Sequence, residues 1–425
     1  MVLCQRKRLL LFAVFGLAVP LLAQKADELS DFDAEKFEQW QKQGPRQQIP
    51  WKINFTQGGL SFFQRLTAHI DLQADADHIL KHGKSGRVIA MVQLTDQKGE
   101  KYRNDGKVEL SEMKGVRNAN VVFSWDAFVL PGEYQAELAL YDPQSGEHNF
   151  GNQRLHISPL KRDVLPGSWK GLPPVEFWAP KEHDTDNLYH PDIDGKLKLQ
   201  IATARTLRIE VLADVTPSEI FGGSKASFDL YLAMIVPMLK VFSQMELPTG
   251  SLEVATLDLK NRKVIFEEEV KPEKNGLDWL RLKDTLKASD PDMVNVRVLQ
   301  DHHPSPAFLR DELLRRIAAD TAESAQDKNA PLHVYILLSA SLDAYSFNAT
   351  RSGPIPESLP EKCSCIIYYL EYDLSWEIRG LLKTVNKVEK MLAPFKVRTF
   401  SISSTMDARK ALAEMVEEIA KAGTN

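Results

Sequence analysis

The hydrophobic period of this chain changes once, and the change divides it in two. From Trp51 to about Leu160 apolar residues recur at every second position. From about residue 197, strand-length apolar runs alternate with helix-length amphipathic ones. The two periods belong to different element types and so to different layers. In the first region "GRVIAMVQL" sets Val88, Ala90, Val92 and Leu94 on one face. "GEYQAELALYD" sets Tyr134, Ala136, Leu138 and Leu140 on one face, with Glu133, Gln135 and Glu137 opposite. The turn-rich stretches "HGKSG", "DQKGE", "LPG" and "DPQSGEH" separate such runs. Short strands at this spacing, with no helical period, predict an all-β sandwich of immunoglobulin-like type over residues 51–160.

The second region reads differently. "LRIEVLAD" is a strand and "SKASFDLYLAMIVPMLKVFSQM" a long apolar helix interrupted by Pro237. "GSLEVATLDL" and "RKVIFEEEV" are strands joined closely enough for a hairpin. "SPAFLRDELLRRIAADTAES" is a helix, and "LHVYILLSA" and "CIIYYLEY" are near-continuous apolar strands, as expected of a sheet covered on both faces. A last strand, "FKVRTFSIS", precedes a helix with Ala408, Ala411, Leu412, Met415, Val416 and Ile419 on one side. This order predicts an α/β fold over 197–425, a mostly parallel sheet flanked by helices. Residues 161–196 read as a Pro/Gly-rich linker. Residues 24–50 read as a polar leader with a short helix, packed weakly or not at all. A length of 425 residues suits two domains.

The N-terminus constrains location. Arg6, Lys7 and Arg8 precede an apolar run from Leu9 to Leu22, and Ala23 follows. Residues 1–23 are expected to be a secretory signal peptide, with an uncleaved anchor as the other reading. A secreted or periplasmic protein follows, with no membrane-spanning segment after cleavage. The net charge of −5 argues against nucleic acid as a partner. Cys363 and Cys365 are read as two partly buried thiols.

Candidate chemistry concentrates after the first strand of the second region. Ligands of open α/β sheets gather at the carboxyl ends of strands. There "LRIEVLADVTPSEIF" places Asp214, Thr216 and Ser218 in the order Asp-x-Thr-x-Ser. In another reading the hydroxyls merely cap a turn. The element order and this motif resemble von Willebrand factor type A domains, whose metal-ion-dependent adhesion site begins Asp-x-Ser-x-Ser. The resemblance covers residues 197–425. It implies a protein-interaction module of adhesion or scaffold type, not an enzyme, using Mg²⁺ or Mn²⁺ held by Asp214, Thr216 and Ser218. A family loop threonine has its counterpart in Ser305. A family Asp-Gly after the central strand is replaced by Ser339, Ala340 and Ser341, with Asp343 a few residues late. The departure implies a degenerate site. The expected binding residues are Asp214, Thr216, Ser218, Ser305, Ser339, Ser341 and Asp343, and the expected partner is a protein.

Two other classes stay open. An exported hydrolase would need Ser339 or Ser341 beside His302, His303 or His333. No Gly-x-Ser-x-Gly elbow, Walker loop or dinucleotide fingerprint is present. A structural part of an envelope assembly would need no ligand site.

Overall fold

The computed structural model describes residues 31–83, 86–113, 120–178, 193–215, 225–259, 261–271, 276–287, 305–324, 330–340, 365–372, 392 and 395–424. The predicted signal peptide lies outside them. Among the described residues, no helix is long and apolar enough to cross a membrane.

The first half is a sandwich of two four-stranded sheets, antiparallel throughout. One has the order β1 (Trp51–Leu60), β2 (Leu66–Asp75), β5 (Asn120–Val129), β8 (Val175–Trp178). The other runs β4 (Lys101–Glu109), β3 (Arg87–Thr95), β6 (Gly132–Tyr141), β7 (His148–Ile157). The alternation read from the sequence is the inner face: Val88, Ala90, Val92, Leu94, Tyr134, Ala136, Leu138 and Leu140 share one core with Ile70, Leu72, Phe123 and Trp125. β8 comes from the segment read as linker, so the sandwich extends to residue 178. Tyr134 fastens that addition. Its hydroxyl reaches the Leu130 carbonyl at 2.9 Å and the Pro174 carbonyl at 3.1 Å. Tyr134→Phe strands these acceptors and is expected to cost about 1 kcal/mol, read as a lower urea midpoint.

The leader is not loose. Helix α1 (Asp31–Gln43) lies on the outer face of the second sheet. Phe37 and Trp40 are buried with Ile89, Met91, Ala139, Tyr141 and Phe150. Strand β3 is apolar on both faces, and the outer one needs this cover. Gln41 Nε2 donates to Glu137 at 2.9 Å, so the polar side of β6 is engaged as well.

The second half centres on a six-stranded sheet of order β13 (Lys263–Glu269), β12 (Gly250–Asp258), β10 (Leu207–Asp214), β14 (Leu332–Ala340), β15 (Cys365–Tyr372), β16 (Arg398–Ile402). Pairs β10–β12, β10–β14, β14–β15 and β15–β16 are parallel, and β12–β13 is antiparallel. A two-stranded ribbon joins β9 (Leu199–Gln200) and β11 (Met245–Glu246). Gly250 lets β12 start against β10: a Cβ there would stand 1.8 Å from the Leu207 carbonyl oxygen. One face of the large sheet packs on α3 (Lys225–Phe242), α4 (Trp279–Lys287) and α6 (Thr405–Thr424). Buried residues of α5 (Ser305–Ser324) join Leu212, Leu257, Tyr335 and Leu337 in a separate cluster. Helix α3 runs on through Pro237.

The expected α/β class with a mostly parallel sheet is therefore corrected. Among the described residues strand outweighs helix, 45% against 29%; both sandwich sheets are antiparallel and the six-stranded sheet is mixed. The physical reasons are local. β13 begins five residues after β12 ends, with Asn261 held on Asp258, and so short a connection makes β13 return antiparallel, because a parallel return needs a long crossover. Among the described residues the first half adds eight strands against helix α1, the one-turn α2 (Ala76–Leu80) and two 3₁₀ turns, Leu110–Met113 and Pro166–Trp169. Cys365 is also corrected: it is disulfide-bonded rather than a thiol.

The halves meet through the linker. Trp169 Nε1 donates to the Gln64 carbonyl at 2.7 Å, and Gln64 lies between β1 and β2. Arg409 of α6, fully buried, holds Asp163 through Nε at 2.6 Å and Nη2 at 2.9 Å. Its Nη2 also reaches the Leu165 carbonyl at 2.8 Å, and its guanidinium stacks 4.8 Å from the Trp169 ring.

Candidate functional site

The sheet brings Asp214 and Ser339 together. Asp214 ends β10 and Ser339 is the penultimate residue of β14, and the register pairs Ala213 with Leu338 one step earlier. Ser339 Oγ donates to Asp214 Oδ2 at 3.0 Å. Tyr231 of α3 donates to the Asp214 carbonyl at 2.6 Å. Both Asp214 and Ser339 are 0% exposed, so this carboxylate does not stand open to solvent as the motif implied. A buried carboxylate must be satisfied by donors, and the serine supplies one.

Helix α5 starts at the same end. Asp320 lies 3.0 Å from His333 at the head of β14. Fifteen residues back along the helix is about 22 Å, and β14 climbs about 20 Å from His333 to Ser339. Ser305, the first residue of α5, therefore lies near the carboxyl rim, although its side chain is outside the described part. Thr216, Ser218, Ser341 and Asp343 all lie outside the described residues, in segments that leave the rim from β10 and β14. His302 and His303 lie outside them too.

The donors that are described do not make a magnesium shell. Mg²⁺ wants six oxygens in near-octahedral array, and here stand one carboxylate oxygen and one hydroxyl already bonded to each other. The serine dyad of a hydrolase is also not assembled from His333. That residue sits six positions down β14 from Ser339 and is engaged with Asp320.

A second polar group occupies the opposite end of the same sheet face, and nothing in the sequence reading anticipated it. Arg316 of α5 donates to four carboxylates: Glu210 on β10 at 2.8 Å, Glu253 on β12 at 2.8 Å, Glu267 on β13 at 2.6 Å and Glu312 at 2.8 Å. Burial pushes the Glu210 carboxyl up to about 7, against the pull of Arg316. Burial also raises Glu253, helped by the neighbouring Glu267. Asp320 goes the other way. Burial would raise it, but His333 and the Tyr335 hydroxyl overcome that and bring it down to about 2. The strands show the signal in retrospect: Glu210 shares its face of "LRIEVLAD" with Leu212, and Glu253 shares its face of "GSLEVATLD" with Ala255 and Leu257, and a carboxylate among such residues needs a partner.

Among the described residues the first half holds a further group of donors, His78, His82 and Glu147, whose metal-ligating atoms lie within 4.8 Å of one another. The spacing His-x-x-x-His in "DHILKHG" is its signal in sequence.

No family model matches the chain, and no curated protein matches it. Among solved structures it is similar to a Bordetella pertussis chain described as an ApaA protein. The match has a TM-score of 0.17 and 10% identity, and covers 28% of this chain and 100% of that one. A likeness at that score carries no argument about fold or function.

Proposed function

We propose that the chain is an exported interaction protein, of adhesion or scaffold type, that docks a protein partner at the carboxyl rim of the six-stranded sheet. The observation that carries this reading is the Asp214–Ser339 hydrogen bond, which ties together the ends of two central strands. From those ends the segments with Thr216, Ser218, Ser341 and Asp343 depart. Asp214 and Ser339 are positioning residues in this account. They fix where the segments leave the sheet, and the segments supply the contacts. Ser305 opens α5 beside them.

The likeness of Asp-x-Thr-x-Ser to the von Willebrand adhesion motif supports docking as the task of this rim. A serine in place of that family's second carboxylate supports docking without a resident ion. The negative net charge supports a protein partner over nucleic acid. The N-terminal apolar run behind three cations supports export.

The test uses the full chain in the cells that make it. A photo-crosslinking residue is placed at Asp343, and as a control at Val122, which is 50% exposed on the sandwich. The account expects a discrete protein adduct from position 343 and none at the same mass from 122. The adduct survives chelation of Mg²⁺ and Mn²⁺ and weakens in Ser339→Ala. Equal adducts from both positions, no adduct from 343, or loss of the adduct on chelation alone would overturn the reading. In the purified chain, millimolar Mg²⁺ or Mn²⁺ is expected to leave the melting midpoint of wild type and Asp214→Ala unmoved. An ion bound only by the native state must raise it.

A further inference from the structure

The geometry points to a zinc site at one end of the sandwich, formed by His78, His82 and Glu147. It is independent of the rim proposed above and lies in the other half of the chain.

The scaffold is fixed on both sides. Asp75 caps α2 by accepting from the His78 amide at 3.0 Å, and Ala76 and Ile79 are buried in the sandwich core. The helical turn continues past α2, with the His82 amide donating to the Ile79 carbonyl at 3.2 Å. Residues four apart on such a turn share a side, so both imidazoles face the same way. Glu147 stands in the turn between β6 and β7. The Asp142 amide donates to the Glu147 carbonyl at 3.0 Å, and Asp142 Oδ1 accepts from the Gln144 amide at 2.9 Å. The carboxylate is thus presented by a braced turn.

The spacings match a metal. Glu147 Oε2 is 2.9 Å from His78 Nε2 and 3.8 Å from His82 Nδ1. Tetrahedral zinc with bonds of about 2.0–2.1 Å holds its ligand atoms about 3.3 Å apart, so small side-chain rotations suffice. Asp142 Oδ2, 4.0 Å from His82 Nδ1, is next in line for the fourth position, where it would exchange its 2.6 Å bond from Ser145. Otherwise water fills it. Two imidazoles with a carboxylate favour zinc over magnesium or calcium, which take oxygen. The three side chains are 25–36% exposed, which gives the ion a path in.

Such an ion would have a structural use. α2 follows β2 of one sheet, and the β6–β7 turn belongs to the other. One zinc would staple the two sheets at this end, in a region whose sequence has no cysteine.

The experiment takes the full chain, stripped with a chelator, and titrates Zn²⁺ by calorimetry against a chromogenic competitor. The expected result is one Zn²⁺ per chain and a melting midpoint raised by at least about 3 °C at saturating metal. Both are lost in the double variant His78→Gln, His82→Gln and kept in His156→Gln, which alters an exposed histidine outside the cluster. Co²⁺ should give intense tetrahedral visible bands that disappear in His82→Gln, a readout that a merely less stable variant would not move. No stoichiometric binding to wild type, or undiminished binding and bands in the histidine variants, would overturn the site and leave His78–Glu147 as a plain hydrogen bond.

Discussion

Replacing Arg409 with Met splits the thermal unfolding of the chain into two transitions. In the wild type, Arg409 is a fully buried cation on α6 that grips Asp163, the Leu165 carbonyl and the Ser168 hydroxyl, with the Trp169 ring against its guanidinium. Trp169 in turn is bonded to Gln64 of the sandwich. This side chain is the buried charged link between the halves, beside Gln64 Nε2 on the Thr405 carbonyl at 3.4 Å and the Phe62 ring 6.1 Å from that of Tyr372. Methionine keeps much of the volume and removes the charge, leaving Asp163 without its cation. Removing one partner of a buried pair costs about 3–5 kcal/mol. That loss falls on the contact between the halves, so each then melts on its own. Differential scanning calorimetry is the measurement. The pair is also acid-sensitive. Burial pushes Asp163 up, but hydrogen bonds from Arg409 and the Leu165 amide hold its carboxyl below the ordinary range. Its contribution is present above the unfolded carboxyl's ordinary pKa of 3.8 and is lost as the pH falls through the lower folded value. A single unchanged transition in Arg409→Met would mean that the halves are joined by something else.

Arg316→Met is expected to destabilise the second half by about 3–5 kcal/mol at pH 8 and by clearly less at pH 5. Without the guanidinium, Glu210, Glu253, Glu267 and Glu312 face one another with no shared cation. At pH 5 the raised carboxyl of Glu210 takes up a proton and the repulsion falls. Glu210 sets the sign in the wild type. Its unfolded carboxyl titrates near 4.5 and its folded one near 7. Between those values the folded chain holds a proton that the unfolded chain has released. Its stabilising contribution is therefore full below about 4.5 and lost as the pH rises through about 7. Glu210→Gln should accordingly stabilise the fold at pH 8 by on the order of 1–3 kcal/mol, read as a higher melting midpoint, and give no gain at pH 4.5. It should also partly rescue Arg316→Met. A pH-independent effect of Glu210→Gln would show that this carboxyl is not held protonated by its surroundings.

The sequence carried the inner faces of β3 and β6, because alternation is a backbone property and Val88, Ala90, Val92 and Leu94 keep to one side. It carried less where a second layer intervenes. Ile89 and Met91 spoil the alternation of β3, and that is the trace of α1, whose Phe37 and Trp40 cover them. β8 was hidden in a Pro-rich stretch because four residues show no period. The second sheet was expected to be mostly parallel although its hairpin was already legible; the antiparallel β12–β13 pair makes it mixed, and the eight sandwich strands carry the balance to strand. At the site, one motif and one strand end were enough to place Asp214 beside Ser339. Their burial was not legible, since it depends on what the surrounding chain covers. The Arg316 group escaped because its members lie on four separate elements with no common spacing.

The claim most exposed to test is that the Asp214–Ser339 tie sets a docking rim. The direct measurement is the dissociation constant of the protein crosslinked from position 343, for wild type, Asp214→Asn and Ser339→Ala, with melting midpoints recorded alongside. The account predicts at least about tenfold weaker binding in both variants, roughly 1.4 kcal/mol, while each stays folded at the assay temperature. Unchanged affinity in both folded variants would contradict it.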